Sequence, residues 1–500
     1  MAMADTTSVQ LSVADASSLP VVVRSPKLLI RETLAGIVTA LALIPEVISF
    51  SFISGVDPKV SLIASITLGL VMSVLGGRPA MVTAAAGSVA LVIGPMVKQH
   101  GVEYILPTIL AAGAIQIAFG AAGLARLMRF VPRSVMIGFV NALGILIFCA
   151  QVPHLFNVPW PVYPLFVVTV AIVLAAPYVT KTIPAALVAI VVVTAIVMIG
   201  HFAVPNVGGN GTAAPGLPGI THFLVPLNFE TLQIIGPTAL SVAFVGLLES
   251  LLTAKLVDDL TDTRSHKNRE SWALGVANIA AGFFGGIPGC AMIAQTVVNV
   301  KMGQGRTRIS TAVAALVLLV LVTVLSDLMA QIPLIALAAV MMIAALKTVN
   351  WRSIEPSMLK RMPIPETTVM LVTVAVTVAT GNLAFGVSGG VLLAMVLFAR
   401  RVAHVVRAER IVSDDGGSVR YAVHGPLFFG SSNDLFERFS YAADLAVVAV
   451  DLTHAQIWDA SSVAALDSIE TKYREHGATV TFTGLDPRSS AFHGRLTGRL

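Results

Sequence analysis

Residues 76–95 read GGRPAMVTAAAGSVALVIGP, and residues 285–301 read GGIPGCAMIAQTVVNVK. Each stretch opens on Gly-Gly-x-Pro and passes through small residues into an apolar segment that is too short to cross a membrane as a helix. Upstream of each lies a glutamate within an apolar run, Glu46 before the first stretch and Glu249 before the second. Short, interrupted segments at matching places in two halves of a chain point to the binding site of a transporter.

The composition places these segments in a membrane. Hydrophobic residues make up 56% of the 500 residues and charged residues 12%, against about 25% charged in ordinary soluble domains. Many of the apolar runs reach the roughly 20 residues that a spanning helix needs. We therefore predict an all-α polytopic membrane domain with fourteen spans, near residues 31–53, 58–76, 86–98, 104–124, 133–151, 160–178, 182–201, 231–254, 270–284, 290–301, 309–328, 333–347, 364–380 and 384–400.

The basic residues support this count. Counted from a cytoplasmic N-terminus, most lysines and arginines fall on inside connections, whereas the outside connections hold little beyond Lys59 and Lys98. The positive-inside rule then places both termini in the cytoplasm and the chain in the cell (inner) membrane. Since each half has seven spans, the second half is inverted relative to the first. The basic residues are scattered between apolar segments, so we expect no nucleic-acid partner.

The chain is predicted to have three parts, a cytoplasmic segment at 1–26, a transport domain at 27–405 and a soluble domain at 410–500. We expect no signal peptide in residues 1–23, and the Gly/Pro/Asn-rich stretch 202–230 is predicted to be an outside loop. In the tail, apolar runs shorten to strand length. Strands are predicted at YAVHGPLFFG, LAVVAVDLTH and ATVTFTGL, with an amphipathic helix at ASSVAALDSIETKYREHG, which together indicate an α/β domain.

The two interrupted segments are predicted to form the substrate site. An open helix N-terminus presents unpaired N–H groups and the positive end of the helix dipole, and two of them facing each other would hold an anion. The small residues beside them would let a ligand approach the backbone, while the competing interpretation is that they only allow close helix packing. The candidate substrate-binding residues are Ala85, Ala86, Gly87 and Ser88 in the first half and Cys290, Ala291 and Met292 in the second.

The two glutamates are predicted to carry a coupling ion, because an ionisable group within a span usually marks an ion or proton path. Thr253 lies one helical turn after Glu249, and freed backbone at Gly289 could supply carbonyl oxygens. Glu249, Thr253, Glu46 and Gly289 are therefore the candidates, with a sodium ion at Glu249 and Thr253 or a proton on the carboxylate as the two alternatives. We expect no cofactor, since no phosphate-binding loop and no metal-ligand cluster occurs in the sequence.

Four stretches together identify a family resemblance: LAGIVTALALIPEVISFSFISGVDP, GLLESLLTAKLVDDLTDT, GFFGGIPGCAMIAQTVVNVKMGQGRTRIS and the tail from Val419 to Leu485. They resemble the sulfate permease family of anion transporters, whose members pair fourteen spans with a C-terminal STAS domain. The resemblance implies two inverted seven-span repeats, with spans 1–4 and 8–11 as a core and spans 5–7 and 12–14 as a gate. It also implies a homodimer, an elevator-like movement, and sulfate, bicarbonate, chloride or dicarboxylates as substrates.

The chain departs from the family pattern at two places. Many members carry an arginine within Ser-Arg-Ser in the tenth span, where this chain has Ala294, Gln295 and Thr296. Gln295 is thus a further candidate substrate residue, and the absence of a fixed cation resembles the bicarbonate-transporting bacterial branch. In the tail, Ala460 stands where anti-sigma-factor antagonists have a phosphorylated serine, so regulation by phosphorylation or by a ligand is left open.

These features favour cation-coupled symport of a small inorganic anion or dicarboxylate, with bicarbonate first and sulfate or dicarboxylates next. An uncoupled exchanger or an anion channel of the same fold is the alternative, and a channel would need a continuous pore. An enzyme is disfavoured because no nucleophile–base set is visible in the sequence. The remaining expected partner is membrane lipid.

Overall fold

The computed structural model describes residues 24–179, 183–209, 221, 224–226, 228–403, 405–413, 418–444 and 447–498. Most of the predicted N-terminal segment and part of the predicted outside loop lie outside these residues. The chain divides into two compact units, Met1–Gly390 and Val391–Leu500.

In the described part of the chain, fourteen helices follow the predicted spans in order, with boundaries shifted by a few residues. They are α1 (Pro26–Ser54), α2 (Pro58–Leu75), α3 (Gly87–His100), α4 (Ile105–Ala121), α5 (Arg133–Gln151), α6 (Val162–Val179), α7 (Ala185–Gly200), α8 (Phe229–Thr261), α9 (Lys267–Gly282), α10 (Ile293–Val297), α11 (Arg308–Val324), α12 (Leu334–Thr348), α13 (Ile364–Thr380) and α14 (Leu383–Ala403). Helix α10 continues as a turn of π-helix over Val298–Met302.

The helices differ in how well each could cross a membrane alone. Among the described residues, seven are long and apolar enough to span, and α7, α11, α12 and α13 are apolar but shorter. Helices α3 and α10 are the interrupted segments, each preceded by an extended strand, β1 (Thr83–Ala85) or β2 (Gly289–Ala291). The all-α membrane domain predicted from hydropathy is thereby confirmed, with the two short segments where the Gly-Gly-x-Pro stretches indicated.

The helices of the first unit pack as two bundles. Helices α1–α4 and α8–α11, here called the core bundle, include the pairs α4–α9, α1–α11 and α2–α9. Helices α5–α7, α12, α13 and the part of α14 up to Gly390, here called the gate bundle, include the pairs α5–α13 and α6–α12. At Gly390 in α14, an added Cβ would lie 2.1 Å from the Thr373 hydroxyl of α13, so a small residue allows the close packing of these two helices.

The second unit begins within α14 and contains a small α/β domain. Its sheet has the order β3 (Arg407–Val412), β4 (Val419–Leu427), β5 (Val447–Ile457), β6 (Thr479–Thr483); β3 pairs antiparallel with β4, and the other pairs are parallel. Helices α15 (Ser432–Glu437), α16 (Ala460–Glu475) and α17 (Pro487–Leu496) complete it. Residues 445 and 446 of the predicted LAVVAVDLTH strand lie outside the described part. Strand β3 was not predicted, because its alternating charged residues gave no strand-like apolar run.

Two aspartates, Asp459 and Asp258, form side-chain interactions that fix their positions. Asp459 caps α16, since its carboxylate accepts from the Ser462 N–H at 3.0 Å, as a helix start at this position predicts. Asp258 lies near the end of α8 but is not an exposed surface charge. Its side chain is largely buried and pairs with Arg78 at 3.2 Å and with Lys267 at 3.1 Å.

Candidate functional site

The two halves of the core bundle meet at a short antiparallel sheet. Strand β1 pairs with β2 so that Thr83 is opposite Ala291, Ala84 opposite Cys290, and Ala85 opposite Gly289. A Cβ at Gly289 would lie 2.4 Å from the carbonyl oxygen of Ala84, so only glycine allows this approach of the two backbones. The duplicated Gly-Gly-x-Pro stretches therefore deliver both short helices to one place.

Side chains from neighbouring helices fix the two strands. The Ala85 N–H donates to the Ser65 hydroxyl of α2 at 3.1 Å. On the other strand, the Gly289 N–H donates to Oδ1 of Asn278 at 2.8 Å, and the Asn278 amide donates back to the Gly289 carbonyl at 3.2 Å. Gln116 orients that amide by accepting from it at 2.9 Å. Sequence reasoning missed these positioning residues, because their spacing from the strands follows no motif.

Both short helices begin at this sheet without a side-chain cap. Helix α3 begins at Gly87 after the extended residue Ala86, and α10 begins at Ile293 after the extended residue Met292. Neither preceding residue accepts a hydrogen bond through its side chain. The first N–H groups of a helix have no partner within the helix. The arrangement can therefore present backbone donors, with the positive ends of two dipoles, to an anion.

Glu249 lies beside these helix starts, in the middle of α8. Its carboxylate accepts a hydrogen bond from the Ser88 hydroxyl of α3 and another from the Cys290 thiol of β2, at 3.1 Å. Ser88 and Cys290 are 3.5 Å apart through Oγ and Sγ. All three residues are buried. One carboxylate thus joins elements from both halves of the repeat.

Thr253 adds oxygen atoms to this cluster. Its hydroxyl donates to the Glu249 carbonyl at 2.8 Å and lies 3.3 Å from the Ala291 carbonyl. The carboxylate, two hydroxyls and two carbonyls found here are hard oxygen donors of the kind that bind small cations. This donor set fits either a sodium ion or a proton on the carboxylate.

A cavity of about 990 Å³ opens between the core and gate bundles. From the core side it is lined by seven of the predicted site residues, which are Glu46, Ala86, Gly87, Ser88, Glu249, Met292 and Gln295. Apolar gate residues such as Val140, Ile147, Val173 and Met341 form the opposite wall. The cavity therefore brings both glutamates and both helix starts to one space.

The other five predicted residues lie behind the cavity wall. Ala85, Gly289, Cys290, Ala291 and Thr253 are buried in the strands or in α8 and do not line the cavity. Cys290 and Thr253 still belong to the Glu249 cluster through the hydrogen bonds described above. Ala85, Gly289 and Ala291 form the backbone scaffold of the site.

The polar lining includes one residue that the sequence did not single out. Lys347, in the last turn of α12, is the only cation among the lining residues in the described part of the chain, and its side chain is exposed. In the cavity, the Oε1 atom of buried Gln295 has no hydrogen-bond partner among the described residues. The available signal for Lys347 was its place as the last residue of the predicted span 333–347, next to an inside connection.

Comparisons with known proteins agree with this architecture. Residues 29–161 and 160–373 match the model of the sulfate permease family, and residues 410–491 match that of the STAS domain. The chain is 46% identical to a putative sulfate transporter, YbaR of Bacillus subtilis, over 92% of this chain and 95% of that protein. It is 25% identical to the bicarbonate transporter BicA of Picosynechococcus sp., over 87% of this chain and 84% of that protein.

Solved structures share the fold. The transmembrane domain of a cyanobacterial bicarbonate transporter, BicA, matches with a TM-score of 0.65 and 25% identity, covering 72% of this chain and 98% of that one. The structure of SLC26A9 matches with a TM-score of 0.79 and 17% identity, covering 93% of this chain and 86% of that one. The second likeness concerns the fold alone.

Proposed function

The chain belongs to the sulfate permease family, and on that premise we propose that it is a secondary active transporter that couples uptake of a small anion to entry of a cation. The proposed substrate is a monovalent oxyanion, bicarbonate first, with sulfate or a dicarboxylate as the runner-up. The cavity supports this order, because Gln295 supplies no positive charge at the start of α10 to balance a divalent anion, and the lining cation Lys347 is exposed in the last turn of α12.

The observation that carries the proposal is the meeting of two glutamates and two open helix starts in one cavity. Glu46 and Glu249 line the same space as the first residues of α3 and α10, whose leading N–H groups have no side-chain cap. An anion bound there is repelled by ionised carboxylates at short range in a poorly solvated site. A cation or proton that neutralises a carboxylate removes this repulsion, so anion and cation binding become mutually dependent.

Glu249 is the proposed coupling residue. Ser88, Cys290 and Thr253 surround it with donors and oxygen atoms, and these groups can hold either a sodium ion or a protonated carboxyl group. Glu46 faces the same cavity from α1 and is the second proposed coupling group. Sodium coupling predicts that a sodium gradient drives anion uptake, whereas proton coupling predicts that a pH gradient does. Uptake measured with each gradient imposed separately distinguishes the two.

The transport cycle is proposed to be elevator-like. The core bundle carries the site, and the opposite cavity wall belongs to the gate bundle and is mostly apolar, which would let the two bundles move relative to each other. We further propose a homodimer in a bacterial inner membrane with the STAS domain in the cytoplasm, following the basic residues of the inside connections. The STAS domain would regulate or assemble the transporter.

The test is uptake of radiolabelled bicarbonate, sulfate and fumarate into proteoliposomes, with sodium and pH gradients imposed separately. Saturable accumulation above equilibrium that requires one of the two gradients supports symport. Flux that only equilibrates the anion, or that requires a counter-anion inside, would instead identify a channel or an exchanger.

A further inference from the structure

A second cavity, of about 490 Å³, lies at the end of the core bundle where α9 begins. It is lined by Arg126, Ser265, His266, Lys267, Asn268 and Arg269. Among these six residues, all within the described part of the chain, no side chain is acidic. The cavity is separate from the transport site and belongs to the face that the positive-inside rule assigns to the cytoplasm.

The three cations of this cavity, Arg126, Lys267 and Arg269, differ in whether an acidic side chain pairs with them. The Arg126 side chain is exposed and has no hydrogen-bond or ion-pair partner in the described part of the chain. Arg269 donates to the neutral carbonyl groups of Leu75, at 2.8 Å, and Val74, at 3.3 Å, and no acidic side chain among the described residues pairs with it. Lys267 pairs with Asp258, which is shared with Arg78. The cavity therefore keeps a net positive charge that suits an anionic group.

An apolar stripe adjoins the cavity. Arg126 lies in a 3₁₀ helix, Leu124–Phe130, that joins α4 to α5 and packs against α9. Because a 3₁₀ helix has three residues per turn, Leu124, Leu127 and Phe130 share one face, and all three are exposed. This segment connects two membrane helices, so its apolar face lies at the level where the chain leaves the bilayer. An exposed apolar face beside basic residues is typical of contact with a membrane interface.

We propose that this cavity binds the phosphate of an anionic phospholipid headgroup, with the acyl chains lying along the stripe of Leu124, Leu127 and Phe130. The cations provide the charge complementarity, and the stripe selects a lipid over a free anion, because a free phosphate gains nothing from apolar surface. Basic pockets between membrane helices on the cytoplasmic side bind lipid headgroups by this combination of charge and apolar contact. Arg126 is proposed to be the main phosphate-binding residue, because its side chain has no partner among the described residues.

The experiment uses the purified full chain with equal amounts of phosphatidylglycerol and phosphatidylcholine, and counts retained lipids by native mass spectrometry. Arg126→Gln is compared with the parent and with Arg352→Gln, which removes an exposed arginine from another predicted inside connection. We expect Arg126→Gln to lower phosphatidylglycerol retention about fivefold, the equivalent of about 1 kcal/mol for one basic residue at an anionic surface. Arg352→Gln should match the parent.

Two further arms separate a lipid from a free anion. Leu127→Ser should lower phosphatidylglycerol retention without any change in net charge, and inorganic phosphate should fail to displace the lipid. The proposal is overturned if Arg126→Gln and Arg352→Gln retain phosphatidylglycerol equally, or if Leu127→Ser matches the parent. Displacement of the lipid by inorganic phosphate would also overturn it and would identify a free-anion site instead.

Discussion

The Ser88 hydroxyl, in the first turn of α3, donates a hydrogen bond to the carboxylate of Glu249, in the middle of α8. The two residues are 161 positions apart and belong to opposite halves of the inverted repeat. The bond ties the proposed coupling residue of one half to the proposed anion-binding helix start of the other. Occupation of either site should therefore alter the other.

Glu249→Gln should abolish concentrative uptake, because a neutral amide has no charge for a coupling cation to compensate. We expect the accumulation ratio to fall to that of equilibration, while exchange or passive flux persists. Gradient-driven uptake into proteoliposomes measures this. The control is Asp259→Asn, which neutralises an exposed carboxylate on the same helix. Undiminished accumulation by the Gln variant under the same gradient would remove Glu249 from the coupling mechanism.

Ala86→Phe and Gln295→Arg should affect uptake in different ways. Ala86 lines the cavity directly before α3, so a phenyl ring there occupies the anion position and should lower uptake roughly tenfold, the effect of 1–3 kcal/mol of overpacking. Gln295→Arg adds a fixed cation to the cavity and should shift selectivity toward sulfate and fumarate. Competition against labelled bicarbonate measures both effects. Parental affinity and selectivity in both folded variants would place the anion site elsewhere.

Lys347→Gln should raise the KM for anion uptake with little change in the maximal rate. The exposed lysine at the cavity rim acts by attracting anions through solvent, which limits its effect to about 1 kcal/mol, or about fivefold. Because salt screens exposed charges, the difference from the parent should shrink as ionic strength rises. Lys360→Gln, at an exposed lysine outside the cavity, serves as the control. An equal KM in the parent and Lys347→Gln at low salt contradicts a steering role.

Asp444→Asn should destabilise the STAS domain and change its dependence on pH. Burial raises the pKa of Asp444, but hydrogen bonds from Tyr421, Tyr473 and Arg410 outweigh it and hold the pKa below its ordinary value. The stabilisation is therefore complete above the unfolded-state pKa of about 3.9 and is lost as pH falls through the lower folded-state value. We expect a loss of about 1.5–3 kcal/mol at neutral pH.

The measurement is hydrogen exchange of the STAS domain in the full chain, at neutral pH and at about pH 3. The amide protection of the parent should fall on acidification. The protection of Asp444→Asn should be lower than that of the parent at neutral pH and should fall less on acidification. Glu475→Gln, at an exposed carboxylate of α16, should follow the parent. A variant that loses protection on acidification as steeply as the parent would show that Asp444 is not responsible.

Much of the site could be predicted because its signals are local. The Gly-Gly-x-Pro stretches marked the starts of α3 and α10, and the intramembrane glutamates marked the cavity wall. The positioning residues could not be predicted in the same way. Asn278 contacts Gly289 only because α9 and β2 pack together, and the polarity of an asparagine in an apolar helix does not by itself identify its partner.

The sequence by itself determined the number and order of the membrane helices, the two interrupted segments and the soluble tail. Hydropathy and backbone interruption act over about 20 residues, the length of one span, and need no distant partner. Only the tertiary structure decided that Ser88 reaches Glu249, that Lys347 borders the cavity and that Asp258 is buried against Arg78. These relationships join segments far apart in the chain, and the packing of whole helices, rather than the chemistry of any one segment, brings such residues into contact.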